Sequence, residues 1–139
     1  MMKKNSMLSL LLIISLIGIG SSGYLTIHHF QPNPGFCDIN TIFSCSTVNT
    51  SKYAELFHIP IALFGVLWFL ILGILSMLLF YRKVPEKYLL FWTILGMISV
   101  FYFISAEFMI GVICLWCTLV HILVILTGGL AIILYRKKI

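Results

Sequence analysis

Residues 88–135 read YLLFWTILGMISVFYFISAEFMIGVICLWCTLVHILVILTGGLAIILY, from Tyr88 to Tyr135, and Glu107 is their lone carboxylate among no Lys or Arg. As one helix these 48 residues would reach roughly 72 Å at 1.5 Å per residue, more than twice the ~30 Å hydrocarbon thickness of a bilayer. The stretch must therefore fold back once. Gly111, near its centre, is the natural turn, which predicts a helix over about 88–110 and another over about 112–135.

Working outward, the basic link Arg82-Lys83-Val84-Pro85-Glu86-Lys87 precedes this stretch, and two further apolar runs precede the link. They cover about 61–81 and about 7–27 and are separated by an outer loop of about 28–60. Each run has the length of a single span. The chain reads as one membrane domain over 1–139, an all-α bundle of four transmembrane helices. Composition agrees: 61% of residues are hydrophobic and 9% charged, against about 25% charged in soluble proteins. A net charge of +5 suggests nucleic acid only where a soluble face displays it. Here the cations gather at the ends of apolar runs, so no nucleic-acid partner is expected and the bilayer is the expected surroundings.

Lys3-Lys4 followed by apolar residues and Gly20-Ser21-Ser22-Gly23 has the look of a secretory signal. Its apolar character continues through Tyr24-Leu25-Thr26-Ile27, and removal would leave an odd number of spans, so it is read as a retained helix. Lys3, Lys4, Arg82, Lys83, Lys87, Arg136, Lys137 and Lys138 fall on one side of the predicted membrane, and only Lys52 falls in the 29–60 loop. The positive-inside rule then places both termini in the cytoplasm. It places the long loop and the Gly111 turn outside, in what is expected to be a prokaryotic cytoplasmic membrane.

This topology gathers all four cysteines on the oxidising side, where disulfides persist. Cys37 and Cys45 lie in the loop, and Cys114-Leu115-Trp116-Cys117 is a C-x-x-C opening the last helix. Residues three apart share a helical face, so the two sulfurs can close a small ring. The helix N-terminus favours a thiolate on the first of them. Four cysteines permit three pairings, and spacing does not choose among them. A C-x-x-C is also half of many zinc sites, but Cys37 and Cys45, with seven residues between them, lack the spacing of a second ligand pair. No metal is expected. Two structural disulfides in a non-enzymatic membrane scaffold remain an alternative.

The loop carries Pro32, Pro34 and Gly35 near its start and is longer than compact domains keep without a function. Ser51-Lys52-Tyr53-Ala54-Glu55-Leu56-Phe57 reads as a short amphipathic helix with Ser51 as N-cap, and Pro60 as the first residue of the next helix.

The order is loop cysteine, seven residues, loop cysteine, Ser51, Pro60 to Gly65, then a helix-borne C-x-x-C. It resembles the vitamin K epoxide reductase family, in a prokaryotic-type form without a fused thioredoxin domain. The other four-helix class of membrane thiol oxidases, DsbB-like, has the two pairs in reverse order. The resemblance implies that Cys114 and Cys117 are the active-site pair, with Cys117 nearest a bound quinone of menaquinone, ubiquinone or vitamin K type. It implies that Cys37 and Cys45 shuttle electrons to that pair from a separate thioredoxin-like (DsbA-like) protein, through a transient Cys45–Cys114 disulfide. The implied activity is a quinone-dependent thiol–disulfide oxidoreductase supporting disulfide formation. A quinone or quinone-epoxide reductase working for quinone recycling is the alternative with the same cysteines. His121 stands where vertebrate members place a quinone-binding tyrosine, and Ser51 matches a serine or threonine near the active site; both are candidate quinone contacts. His121 is equally readable as a packing residue, bonded to a neighbouring helix. Glu107 is a further candidate, while Trp116 reads as an interfacial anchor and Trp68 and Tyr102 as packing aromatics. The stretch Ile59 to Gly65 offers no side-chain amide where vertebrate members contact the quinone with asparagine, which puts epoxide reduction in doubt.

Overall fold

The computed structural model describes residues 3–31 and 37–138, so Pro32, Pro34 and Gly35 near the start of the loop lie outside the described residues. Four long helices account for most of the chain: α1 (Lys4–Phe30), α3 (Ile61–Phe80), α4 (Glu86–Ile110) and α5 (Leu115–Lys138). A short helix, α2 (Cys45–Asn49), and a two-stranded hairpin, β1 (Glu55–Leu56) with β2 (Ile59–Pro60), lie between α1 and α3. All four long helices are apolar and long enough to cross a bilayer. The protein is a four-helix membrane bundle.

The helices close into a ring, α1 against α3, α3 against α4, α4 against α5 and α5 back against α1, with the α1–α3 seam the most extensive. Small residues make that seam. Ser15, Gly18 and Ser22 on α1 meet Gly73, Phe69 and Gly65 on α3, and a methyl group at Gly18 would collide with the Phe69 ring. Lipid offers no hydrophobic drive to bring two helices together, so close backbone approach and dispersion must do it. Buried hydroxyls are satisfied within their own helices: Ser15 donates to the Leu11 carbonyl (2.8 Å) and Thr127 to the Val124 carbonyl (2.6 Å). On the outside, Leu16, Phe91, Phe101 and Phe108 stand exposed, as a surface facing acyl chains allows.

The two ends of the bundle differ in chemistry. At one end Lys4 donates to Glu86 at 2.6 Å, tying the start of α1 to the first turn of α4. At the other end Gly111 ends α4 in the left-handed region (φ 75°) and reverses the chain into α5. Only glycine takes that conformation without steric cost. Gly111 is therefore the residue at which the long apolar stretch turns back.

The loop departs from its predicted form. Ser51 does not cap a helix over 51–57; its hydroxyl donates to the Val48 carbonyl at 2.7 Å, and a single 3-10 turn over Lys52–Ala54 follows. Glu55 to Pro60 then form the hairpin, turned by Phe57 (φ 55°) and His58 (φ 63°) in the left-handed region. Pro60 is the N-cap of α3 and the end of β2, not the first helical residue. The loop helix lies earlier, at α2, because Ser44 supplies its cap by accepting from the Thr47 amide at 3.2 Å.

Candidate functional site

The four cysteines converge at the Gly111 end, in two disulfides: Cys37 with Cys45 (Cα–Cα 5.4 Å) and Cys114 with Cys117 (Cα–Cα 5.1 Å). Local structure explains the placement of each pair. Asn40 Oδ1 accepts from the amides of Ile42 (2.8 Å) and Phe43 (2.9 Å), which tightens the chain between Cys37 and Cys45. Asp38 holds the other side: it accepts from the Ser44 hydroxyl (2.8 Å) and from the Ser46 amide (3.0 Å) and hydroxyl (2.6 Å). Ser44 N–H then donates to the Ile113 carbonyl (3.0 Å) and Ile113 N–H to the Ile42 carbonyl (2.7 Å). These two backbone bonds clip the loop to the residue before Cys114.

The clip brings the disulfides into contact. Cys45 Sγ and Cys114 Sγ lie 3.1 Å apart, and the sulfurs of Cys37, Cys45 and Cys114 fall within 4.8 Å of one another. Cys37, Cys45 and Cys114 are buried, packed with Leu25 and flanked by Trp116. The Cys117 amide donates to Cys114 Sγ at 3.1 Å, so the first turn of α5 directs an N–H at the sulfur that would carry charge on reduction. With their sulfurs joined in S–S bonds, these cysteines have the chemistry of disulfide exchange.

Behind Cys117 lies a cavity of about 650 Å³, walled by α3, α4 and α5 and roofed by the loop. Cys117 and His121 line it, and Cys114 does not. The pair thus has two faces, Cys114 toward the loop disulfide and Cys117 toward the cavity. His121 is buried and stacks parallel to Phe103 at 6.1 Å. Ser51 lines the roof. Glu107 lines the wall, and its Oε1 is buried without a partner among the described residues.

A profile of the vitamin K epoxide reductase family matches residues 9–132. The chain belongs to that family. No curated protein matches it. Members of this family carry out quinone-linked disulfide redox chemistry in membranes; the family marks the chain as an oxidoreductase, and its bonded cysteine pairs form a disulfide site.

The structure also brings in residues that the sequence reading passed over. Asn49 is buried and its amide donates to the Leu25 carbonyl (2.7 Å), fixing the roof to α1. His29 reaches the Asn49 carbonyl with Nδ1 (2.6 Å) and Glu55 with Nε2 (2.9 Å), bridging α2 and the hairpin. Trp68 and Tyr102 were expected only to pack helices, yet both line the cavity. Trp116 packs on Tyr24 (5.2 Å) over the cysteine cluster instead of acting only as an interfacial anchor. A polar residue in a loop and an aromatic in an apolar helix carry no periodic signal, so only the fold reveals their address.

Proposed function

We propose that this family member oxidises a thioredoxin-like dithiol protein and passes the electrons to a membrane quinone. The observation that carries this reading is the two-faced C-x-x-C: Cys114 touching Cys45 at 3.1 Å, and Cys117 opening on the cavity. A partner thiolate attacks Cys37, breaking Cys37–Cys45 and freeing the Cys45 thiolate. Cys45 attacks Cys114, and Cys117 leaves as a thiolate into the cavity. The partner's second thiol resolves its bond to Cys37, and Cys37 then attacks Cys45 and releases Cys114. The loop disulfide is restored, and the Cys114/Cys117 dithiol holds two electrons and two protons. Oxidation of that dithiol by the quinone gives the quinol and closes the cycle. Each exchange step is an in-line thiolate attack through a mixed disulfide.

The helix N-terminus at Cys114 supports its part as the leaving group when Cys37 attacks Cys45. His121 and Ser51, both on the cavity lining, are the proposed quinone contacts. The cysteine end is read as extracytoplasmic and the termini as cytoplasmic, because eight of the nine Lys and Arg residues belong to the opposite side of the charge pattern.

The test is turnover of the purified protein with a reduced thioredoxin-like carrier and menadione, followed as quinol formation. Wild type is expected to turn over and Cys117→Ala to make no quinol. Full turnover by Cys117→Ala would sink the proposal.

A further inference from the structure

The loop disulfide is closed to solvent, while the turn that joins its two cysteines is open. Cys37 is 3% exposed and Cys45 2%, so neither sulfur meets a large partner by collision alone. Between them Ile39 (63%) and Ile42 (55%) stand in the open, with Asn40 and Thr41 exposed between the two. Exposed apolar side chains on the long helices face lipid, but these two lie on a loop outside every span. The turn is firmly held. Asn40 Oδ1 accepts from the amides of Ile42 and Phe43, the Phe43 carbonyl accepts from the Ile39 amide (3.0 Å), and the Ile42 carbonyl accepts from the Ile113 amide (2.7 Å). Two bulky aliphatic side chains are therefore presented on a backbone whose bonds are already made, and binding them costs little further ordering. Lipid is a poor occupant for this turn, because immersing the isoleucines would draw the polar side chains of Asn40 and Thr41 out of water with them. Neither isoleucine lines the cavity, so the quinone side is untouched by whatever covers them.

The exchange reaction itself says what comes to this surface. A partner must bring its own sulfur into line with the Cys37–Cys45 bond, so it covers the residues beside that bond. Ile39 is two residues from Cys37, and Ile42 is three from Cys45. We infer that Ile39 and Ile42 are the docking contacts for the thioredoxin-like carrier, seated against apolar side chains around its exposed thiol. The inference rests on the carrier-to-quinone function proposed above. An apolar pair edged by the polar side chains of Asn40 and Thr41 has the make-up of a protein contact, with its apolar centre and polar rim. The turn holds the carrier while Cys37 is still buried, so the carrier thiolate is at hand in high effective concentration when the loop lifts. Its sulfur then bonds to Cys37, and Cys45 leaves as the thiolate.

The experiment follows quinol formation from menadione with two alternative electron donors, reduced DsbA and dithiothreitol. It compares wild type, Ile39→Ser, Ile42→Ser, the double serine variant, and a protein carrying both Ile39→Leu and Ile42→Leu. Taking an apolar side chain out of a covered contact predicts a KM for DsbA raised about tenfold in each single serine variant and further in the double one, with kcat within about twofold. The leucine pair keeps the apolar contact and is expected to keep the wild-type KM. Dithiothreitol reduces the same disulfide without needing a docking surface, so its turnover is expected within about twofold of wild type in every variant. The single variants carry the comparison if the double one is unstable. A wild-type KM for DsbA in the serine variants overturns the inference and leaves the proposed function standing. Equal losses with DsbA and dithiothreitol would also overturn it, since they mark a packing role for the turn. Quinol formation by wild type from dithiothreitol but not from DsbA overturns it too, because no carrier then docks. Absence of quinol formation by wild type from either donor would remove the proposed function, and this inference with it.

Discussion

Cys45 and Cys114 come from positions 69 residues apart and meet at 3.1 Å, a separation that one exchange event converts to a bond. Removing Cys117 should leave the Cys114 thiol facing the Cys37–Cys45 disulfide with no competing partner. Cys117→Ala is therefore expected to accumulate a Cys45–Cys114 linkage with Cys37 free, read by peptide mapping under non-reducing conditions. A map holding only Cys37–Cys45 would contradict the relay. The cysteines themselves were legible in the sequence, because spacing and charge asymmetry place all four at one end. Their pairing was not, since three connectivities fit the same spacing and backbone bonds through Ile113 select the geometry. Glu107 stood out as the lone carboxylate of a 48-residue apolar stretch, whereas Trp68 was hidden among many aromatics. Its distinction is a place on the cavity wall, which exists only in the folded molecule.

At the scale of elements, the spans were legible because 20-residue apolar runs have few alternatives in a membrane. The loop was not. The stretch Ser51 to Phe57 carries a helix-like pattern, yet the Phe57–His58 turn folds part of it into a hairpin, and neither residue is the Gly or Asn that announces such turns. Asp38 is the loop's principal tie, with three hydrogen bonds from Ser44 and Ser46. Asp38→Ala removes bonds to a charged acceptor, each worth about 1.5–3 kcal/mol. Reduction of the buried Cys37–Cys45 pair by a small thiol such as dithiothreitol should accelerate, since the loop opens more often. An unchanged reduction rate would show that opening is governed elsewhere. In the bundle, Gly18→Ala forces a methyl group into the Phe69 ring and is expected to destabilise the α1–α3 seam by about 1–3 kcal/mol. A lower midpoint in thermal denaturation of the detergent-solubilised protein would register it.

For the whole molecule, nearly all Lys and Arg residues lie at the end of the bundle opposite the redox chemistry. The Lys4–Glu86 pair closes one end, with Glu86 buried and Lys4 half-exposed, and the sulfur cluster closes the other. The proposed orientation predicts that single cysteines placed at Lys52 and at Lys83, in a background whose native cysteines are replaced by serine, label differently in intact cells. A membrane-impermeant maleimide should reach position 52 and not position 83. The reverse pattern would invert the assigned topology. The two backbone bonds between Phe43's neighbours and Ile113 have a further use as a clock. The amides of Ser44 and Ile113 are both held by that clip, so they trade protons for deuterons only while the loop is lifted. Their exchange, followed by mass spectrometry under oxidising and reducing conditions, counts loop openings directly, without a partner protein or a quinone in the tube.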